Sequence, residues 1–230
     1  MRVRVRASYS LRVDTRATSE VVMSLRSRFF ALTYDRQLAK VEKAGLRLLR
    51  EGLIGQASGR VLEIGAGTGA NLPLYGAAVE SLTLTEPERP MLRRLERRAR
   101  DHAPSATVLR APAEDLPFED GTFDTVVSTL VLCGVSDQPR ALRQVRRVLR
   151  PGGRLLFLEH VRSDELKLAR LQDRMNGVSR FVGGCDCNRP TLNSIRAAGF
   201  DVTEIEHTEL KKVPPFVRPL IVGVATPNGA

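Results

Sequence analysis

The stretch Val61-Leu62-Glu63-Ile64-Gly65-Ala66-Gly67-Thr68-Gly69-Ala70-Asn71 decides the fold. A short, nearly all-apolar run leads straight into glycines at alternate positions. Strands without polar alternation are buried on both faces, as in parallel sheets. The glycines allow positive φ and let a ligand approach the backbone. The helix start expected next offers free N–H groups to a carboxylate or phosphate. About twenty residues on, Leu82-Thr83-Leu84-Thr85-Glu86 ends a second apolar run in an acid, a position suited to the two hydroxyls of a ribose.

Working outward, the same alternation continues. Apolar runs at Val61–Ile64, Leu82–Leu84, Thr125–Leu132 and Leu155–Leu158 have amphipathic stretches such as Pro90–Arg100 and Gln138–Leu149 between them. Strands alternating with helices of this length indicate βαβ units and a doubly wound, mostly parallel α/β sheet with helices on both faces. Pro151-Gly152-Gly153 stops the helix ending near Arg150. Before the glycine loop, Leu38, Val41, Ala44, Leu48 and Leu49 fall on one helical face. Gly45 lies on that face, where it permits close packing. Thr191–Ala198 forms a late helix ending at Gly199, followed by two closing strands at Asp201–Glu206 and Leu220–Ala225. Residues 1–22, with five Arg against Asp14 and Glu20, read as a flexible basic tail outside the native chain if Met23 is the true start. Residues 23–230 form a single domain.

The glycine pattern admits two cofactors. Gly65-x-Gly67-x-x-Ala70 satisfies the dinucleotide fingerprint. Glu63 is less expected for a dinucleotide, because an acid there serves the ammonium of an amino-acid-bearing cofactor. Here resemblance enters. Glu63-Ile64-Gly65-Ala66-Gly67-Thr68-Gly69 resembles the first motif of the Rossmann-like methyltransferases that use S-adenosylmethionine. Leu116-Pro117-Phe118-Glu119-Asp120-Gly121-Thr122-Phe123-Asp124 is similar to a block of the quinone-biosynthesis methyltransferases. Leu149-Arg150-Pro151-Gly152-Gly153 resembles the loop before that family's fifth strand. Further blocks resemble the small thiol methyltransferases: Thr129–Cys133, Glu159-His160-Val161, Gly184-Cys185 with Asn188-Arg189, and Val217-Arg218-Pro219. The resemblance implies a seven-stranded sheet, S-adenosylmethionine as cofactor, and methyl transfer to sulfur, oxygen or carbon of a small molecule, with thiols favoured.

It also implies site residues. Gly65, Ala66, Gly67 and Asn71 line the cofactor's amino-acid end, and Glu63 anchors its ammonium directly or through water. Glu86 holds the ribose hydroxyls. Pro87 and Met91 flank the adenine, and Ala113 offers its N–H to the adenine edge with Glu114 beside it. Many relatives carry an acid where this chain has Pro112, so adenine is held less specifically or Glu114 or Asp115 substitutes. Thr129 and Leu130 face the cofactor near the methyl. His160, at a strand's carboxyl end, is the candidate base, with an ordinary pKa of about 6.5 suited to proton uptake. The alternative is a histidine bonded to a loop. Tyr34 is a lid or a packed tyrosine. The Gly183–Arg189 loop is the substrate loop, with Cys185, Asn188 and Arg189 as candidates. Arg189 either orients an anionic substrate or forms an ion pair. Cys133 and Cys185 read as small buried hydrophobes, and no metal-ligand spacing occurs among the three His and three Cys.

The net charge of +10 raises nucleic acid or an anionic membrane as partners. Placement weakens that. Arg93, Arg94, Arg97, Arg98 and Arg100 fall on one helix, and Arg140, Arg143, Arg146, Arg147 and Arg150 on another, as solvated outer faces. Aromatic residues are 5% and Trp is absent, so no stacking platform accompanies the arginines. No nucleic-acid partner is expected. A phospholipid N-methyltransferase at a membrane surface and a nucleic-acid-associated methyltransferase remain the alternatives. No run is long enough to span a bilayer, and a cytoplasmic location is expected, with peripheral membrane contact open.

Overall fold

The computed structural model describes residues 39–229. The candidate tail, Met23 and Tyr34 lie outside them. Seven strands, β1 (Gly59–Ile64), β2 (Val79–Thr85), β3 (Thr107–Leu109), β4 (Phe123–Thr129), β5 (Leu149–His160), β6 (Phe200–Glu209) and β7 (Pro219–Pro227), form one sheet in the order β3-β2-β1-β4-β5-β7-β6. The pairs from β3 across to β5 are parallel; β7 runs antiparallel to both β5 and β6. The order reverses between β1 and β4, and ligands bind at such a switch point, outside the carboxyl ends of the strands.

Successive strand residues feed two cores. Leu62, Ile64, Val126, Leu155 and Phe157 pack on one face with Leu142, Val145 and Ile195, from α3 (Gln138–Val148) and α5 (Thr191–Ala197). Val61, Leu84, Val127, Leu156 and Leu158 pack on the other with Leu53, Ile54, Leu95 and Ala99, from α1 (Arg47–Ile54) and α2 (Arg89–His102). This double burial is why the strand sequences lack polar alternation. α4 (Leu166–Gly183), which the sequence pattern does not reveal, runs between β5 and α5.

Four details differ from the sequence reading. A π-helical turn, Glu42–Leu46, precedes α1, and Gly45 within it has φ +129° with open space where a Cβ would stand. The glycine serves a kink, not close packing. The kink resets the helical face, so Leu48 is 72% exposed while Leu46, Leu53 and Ile54 are buried. The apolar run Thr125–Leu132 leaves the strand after Thr129, because Leu130 has φ +60°. The arginine faces are not wholly solvated: Arg98 donates to the Thr68 carbonyl, and Arg147 donates to the carbonyls of Leu116 and Phe118, clamping the Leu-Pro-Phe segment onto α3.

Candidate active site

The carboxyl ends of β1, β2 and β4 converge on the glycine loop. Gly65 and Gly67 have φ of +55° and +59°. A Cβ at Gly65 would overlap the Val131 side chain at 2.7 Å, whereas one at Gly67 would meet nothing within 4 Å. Gly65 therefore allows the loop after β4 to close against β1, and Gly67 leaves bare backbone facing a cleft. Glu86, just beyond β2, is buried beside it. One carboxylate oxygen accepts from the Gly67 N–H at 2.9 Å and the other from the Glu88 N–H at 2.9 Å. Burial nonetheless pushes its pKa up to about 7, with the nearby charges of Glu88 and Glu63 adding to the rise.

Below the loop lies a closed polar network. Glu63 accepts from Asn71 Nδ2 at 2.9 Å and from the Tyr75 hydroxyl at 2.6 Å. Asn71 Nδ2 also donates to Thr129 Oγ1 at 3.0 Å. Arg50, delivered by α1 and 3% exposed, donates to Asn71 Oδ1 at 2.9 Å, to Thr129 Oγ1 at 2.8 Å and to Glu42 at 2.9 Å. Burial raises the Glu63 pKa to about 7, although Tyr75, Asn71 and the Arg50 charge pull it down. The sequence reading missed Arg50 and Tyr75. An arginine among the apolar positions of a helix was the available signal.

The third wall is the turn after β4. The Leu130 N–H donates to the Leu158 carbonyl at 2.7 Å. Glu159, fully buried, accepts from Ser128 Oγ at 2.6 Å and from the N–H groups of Val131 and Cys133 at 3.1 and 3.3 Å. Burial raises its pKa. An acid closing the apolar run Leu155–Leu158 was its signal in the sequence.

On the far side, Met91 and Ala113 are buried, and the Pro87 carbonyl accepts from Arg110. Glu114 accepts from the N–H groups of Ser136 and Asp137 at 2.8 and 3.3 Å. One of its oxygens is thus engaged in holding the start of α3. The Pro112 carbonyl accepts from the Asp115 N–H within a tight turn.

The substrate candidates are engaged with one another. Arg189 pairs with Asp186 at 2.6 Å and donates to the Leu132 carbonyl at 3.0 Å. Of the two readings of Arg189, the geometry carries the ion pair. Asn188 donates to Asp173 at 3.0 Å. Cys185 is half-buried, with its thiol against that of buried Cys133, whose pKa rises through that contact and through burial. His160 ends β5, buried, with Nδ1 unpartnered among the described residues. Burial drives its pKa down to about 4. The ordinary-pKa argument for a base at neutral pH therefore fails, because a buried imidazole resists the charge.

Comparison with known proteins settles the family. A family model described as "Methyltransferase domain" matches residues 62–157. Thiol S-methyltransferase TMT1A of Homo sapiens is 31% identical over 205 residues, which is 85% of this chain and 82% of the human protein. Thiol S-methyltransferase TMT1B of Homo sapiens is 37% identical over 184 residues, 76% of this chain and 74% of that protein. A solved SAM-dependent methyltransferase of Thermotoga maritima, described as a possible histamine N-methyltransferase, superposes with a TM-score of 0.63 at 25% identity, covering 87% of this chain and 96% of that one. This chain belongs to the class I S-adenosylmethionine-dependent methyltransferases. The methyltransferase sheet order is the one observed, and S-adenosylmethionine is the cofactor.

The residues present fit that cofactor. A methyltransferase of this class must hold a vicinal diol, an ammonium and a carboxylate at one cleft. The cleft offers two buried carboxylates, Glu86 and Glu63, on either side of bare glycine backbone. Among the described residues no helix is long and apolar enough to cross a membrane, and no cluster of metal-binding side chains occurs.

Proposed function

We propose that this methyltransferase transfers the methyl group to the sulfur of a small-molecule thiol. The observation that carries the reading is the likeness to the two thiol S-methyltransferases, which extends well outside the matched core at residues 62–157 and takes in most of the chain. His160 supports it. A thiol, with a pKa of about 8.5, ionises readily without help, and the one histidine at the strand ends is buried and held neutral.

Bound here, S-adenosylmethionine supplies an electrophilic methyl on a sulfonium centre, open to in-line displacement. The chain's part is binding and orientation. Glu86 holds the ribose hydroxyls. Gly65, Ala66 and Gly67 line the amino-acid end, and Glu63 accepts from the ammonium. Pro87 and Met91 flank the adenine, and the Ala113 N–H meets its edge. Thr129 and Leu130 lie at the methyl, and the Cys185 loop walls the acceptor. Orientation of this kind contributes up to about 7–11 kcal/mol in the best intramolecular cases, so no base is needed for a nucleophile that ionises by itself.

The test is transfer of labelled methyl from S-adenosylmethionine to a panel of alkyl thiols, thiophenols, phenols, quinol precursors and phosphatidylethanolamine vesicles. Alkyl thiols are expected to be methylated. Methylation of a phenol, amine or phospholipid with no thiol accepted overturns the reading.

A further inference from the structure

Arg50 lies before residue 62, outside the matched methyltransferase core, and nothing in the glycine motif calls for it. Yet its guanidinium touches both the glycine loop, through Asn71, and the end of β4, through Thr129. The hydrogen-bond arithmetic around it is strict. Arginine only donates. Asn71 Oδ1 must therefore face Arg50, which turns the Asn71 amide nitrogen toward Glu63 and Thr129, where its two protons are both used. Thr129 Oγ1 then accepts from Arg50 at 2.8 Å and from Asn71 at 3.0 Å. A hydroxyl has two acceptor positions and one proton. Both acceptor positions are filled, so Thr129 is left only as a donor, and among the described residues nothing accepts that proton.

We infer that Arg50 is a positioning residue that sets the polarity of the cofactor's amino-acid end: it fixes Thr129 as a donor and Glu63 as an acceptor, a pair matched to a carboxylate and an ammonium. The inference rests on the S-adenosylmethionine site described above and adds a control element supplied from outside the glycine motif. Arg50 also explains the local fold. The π-helical turn and the Gly45 kink bring Glu42 onto the same side of the helix as Arg50, and Glu42 holds the guanidinium from behind at 2.9 Å. Such turns inside helices often mark functional positions. Without the guanidinium, the Asn71 amide can rotate and the Thr129 proton can turn inward to Asn71 Oδ1. The donor facing the cleft is then lost while the adenosine half of the site, at Glu86, Met91 and Ala113, is untouched.

Two probes separate that consequence from general damage. S-adenosylhomocysteine carries the amino-acid end; 5′-methylthioadenosine lacks it. Calorimetry on the full chain compares both probes with wild type, Arg50→Met, Arg50→Lys and Thr129→Val. For Arg50→Met, S-adenosylhomocysteine is expected to bind roughly ten- to a hundredfold more weakly, as for loss of hydrogen bonds to charged groups, with 5′-methylthioadenosine within about twofold of wild type. Arg50→Lys should recover part of the loss, since it keeps the charge but not the fork. If Arg50→Met does not fold, Thr129→Val carries the test, because it removes the donor at constant shape; it must show the same selective loss. Equal weakening of both probes, or no weakening of either, overturns the inference. Failure of the wild-type protein to bind S-adenosylhomocysteine overturns the cofactor site itself, and the inference with it.

Discussion

The two ends of the cleft use their polar side chains in different ways. At the cofactor end, Glu63, Glu86 and Thr129 are buried and hydrogen-bonded, and the Thr129 hydroxyl proton meets no acceptor among the described residues. At the loop proposed to take the acceptor, polar groups are spent on one another. Arg189 is taken by Asp186 and the Leu132 carbonyl, and Asn188 by Asp173. Gln172 of α4 donates to the Val161 and Cys187 carbonyls at 3.1 and 2.7 Å and accepts from the Ser163 N–H at 2.8 Å. The cofactor end is built to recognise charge and hydroxyls. The proposed acceptor end is built to hold a loop in place. The division follows from the chemistry: every substrate molecule is methylated from the same donor, whereas the acceptor brings its own nucleophile.

The largest effect should come from breaking the cofactor end. Glu86→Ala is expected to weaken S-adenosylhomocysteine binding about a hundredfold, the scale for losing a charged acceptor to two hydroxyls; calorimetry reads it, and unchanged affinity removes Glu86 from the ribose. Next comes pH. Burial places Glu63 and Glu86 near 7 in the free protein. A ligand that needs their ionised forms binds more tightly as pH rises through about 7 and levels off above it. Affinity should therefore fall about tenfold from pH 8 to pH 6 for each carboxyl that must ionise, about a hundredfold for the two, with proton release on binding below the midpoint. A flat profile would show that neither carboxyl titrates on binding.

At the acceptor end the effects should be smaller and of another kind. Gln172→Leu strands two buried carbonyls and an N–H, and is expected to cost about 2 kcal/mol of stability by denaturant unfolding. It should raise the acceptor KM while S-adenosylhomocysteine affinity holds. Arg189→Met should raise the acceptor KM a few-fold and leave kcat nearly unchanged, the scale of one part-buried ion pair. A large drop in cofactor affinity from either variant would erase the distinction between the two ends.

The same division decided what the sequence made legible. The cofactor end is carried by short contiguous motifs. Val61–Asn71 and Leu82–Glu86 showed strand, turn and acid together, because the backbone geometry of such a turn demands glycine and a buried strand demands an apolar run. The closing strands and the late helix were legible for the same local reasons. β3 was not: it has three residues and no alternation to detect. Nor was α4, whose pattern is blurred by an exposed Leu166 and an internal Gly177. Arg50, Glu159 and Gln172 were missed for a common reason. A buried polar residue is defined by partners distant in sequence, and periodicity reads only which positions are apolar. His160 shows the converse. Its place at a strand end was legible, but its pKa depends on burial, which single-sequence spacing does not report.

The most direct measurement is the pH dependence of single-turnover methylation for two alkyl thiols of different acidity, followed by mass spectrometry with a deuterated methyl donor. The account predicts a methyl thioether in each case, with a midpoint that moves with the pKa of the thiol, because the acceptor ionises itself and the protein orients it. A midpoint that stays at one pH for both thiols would show that a protein group removes the proton, and would contradict the account.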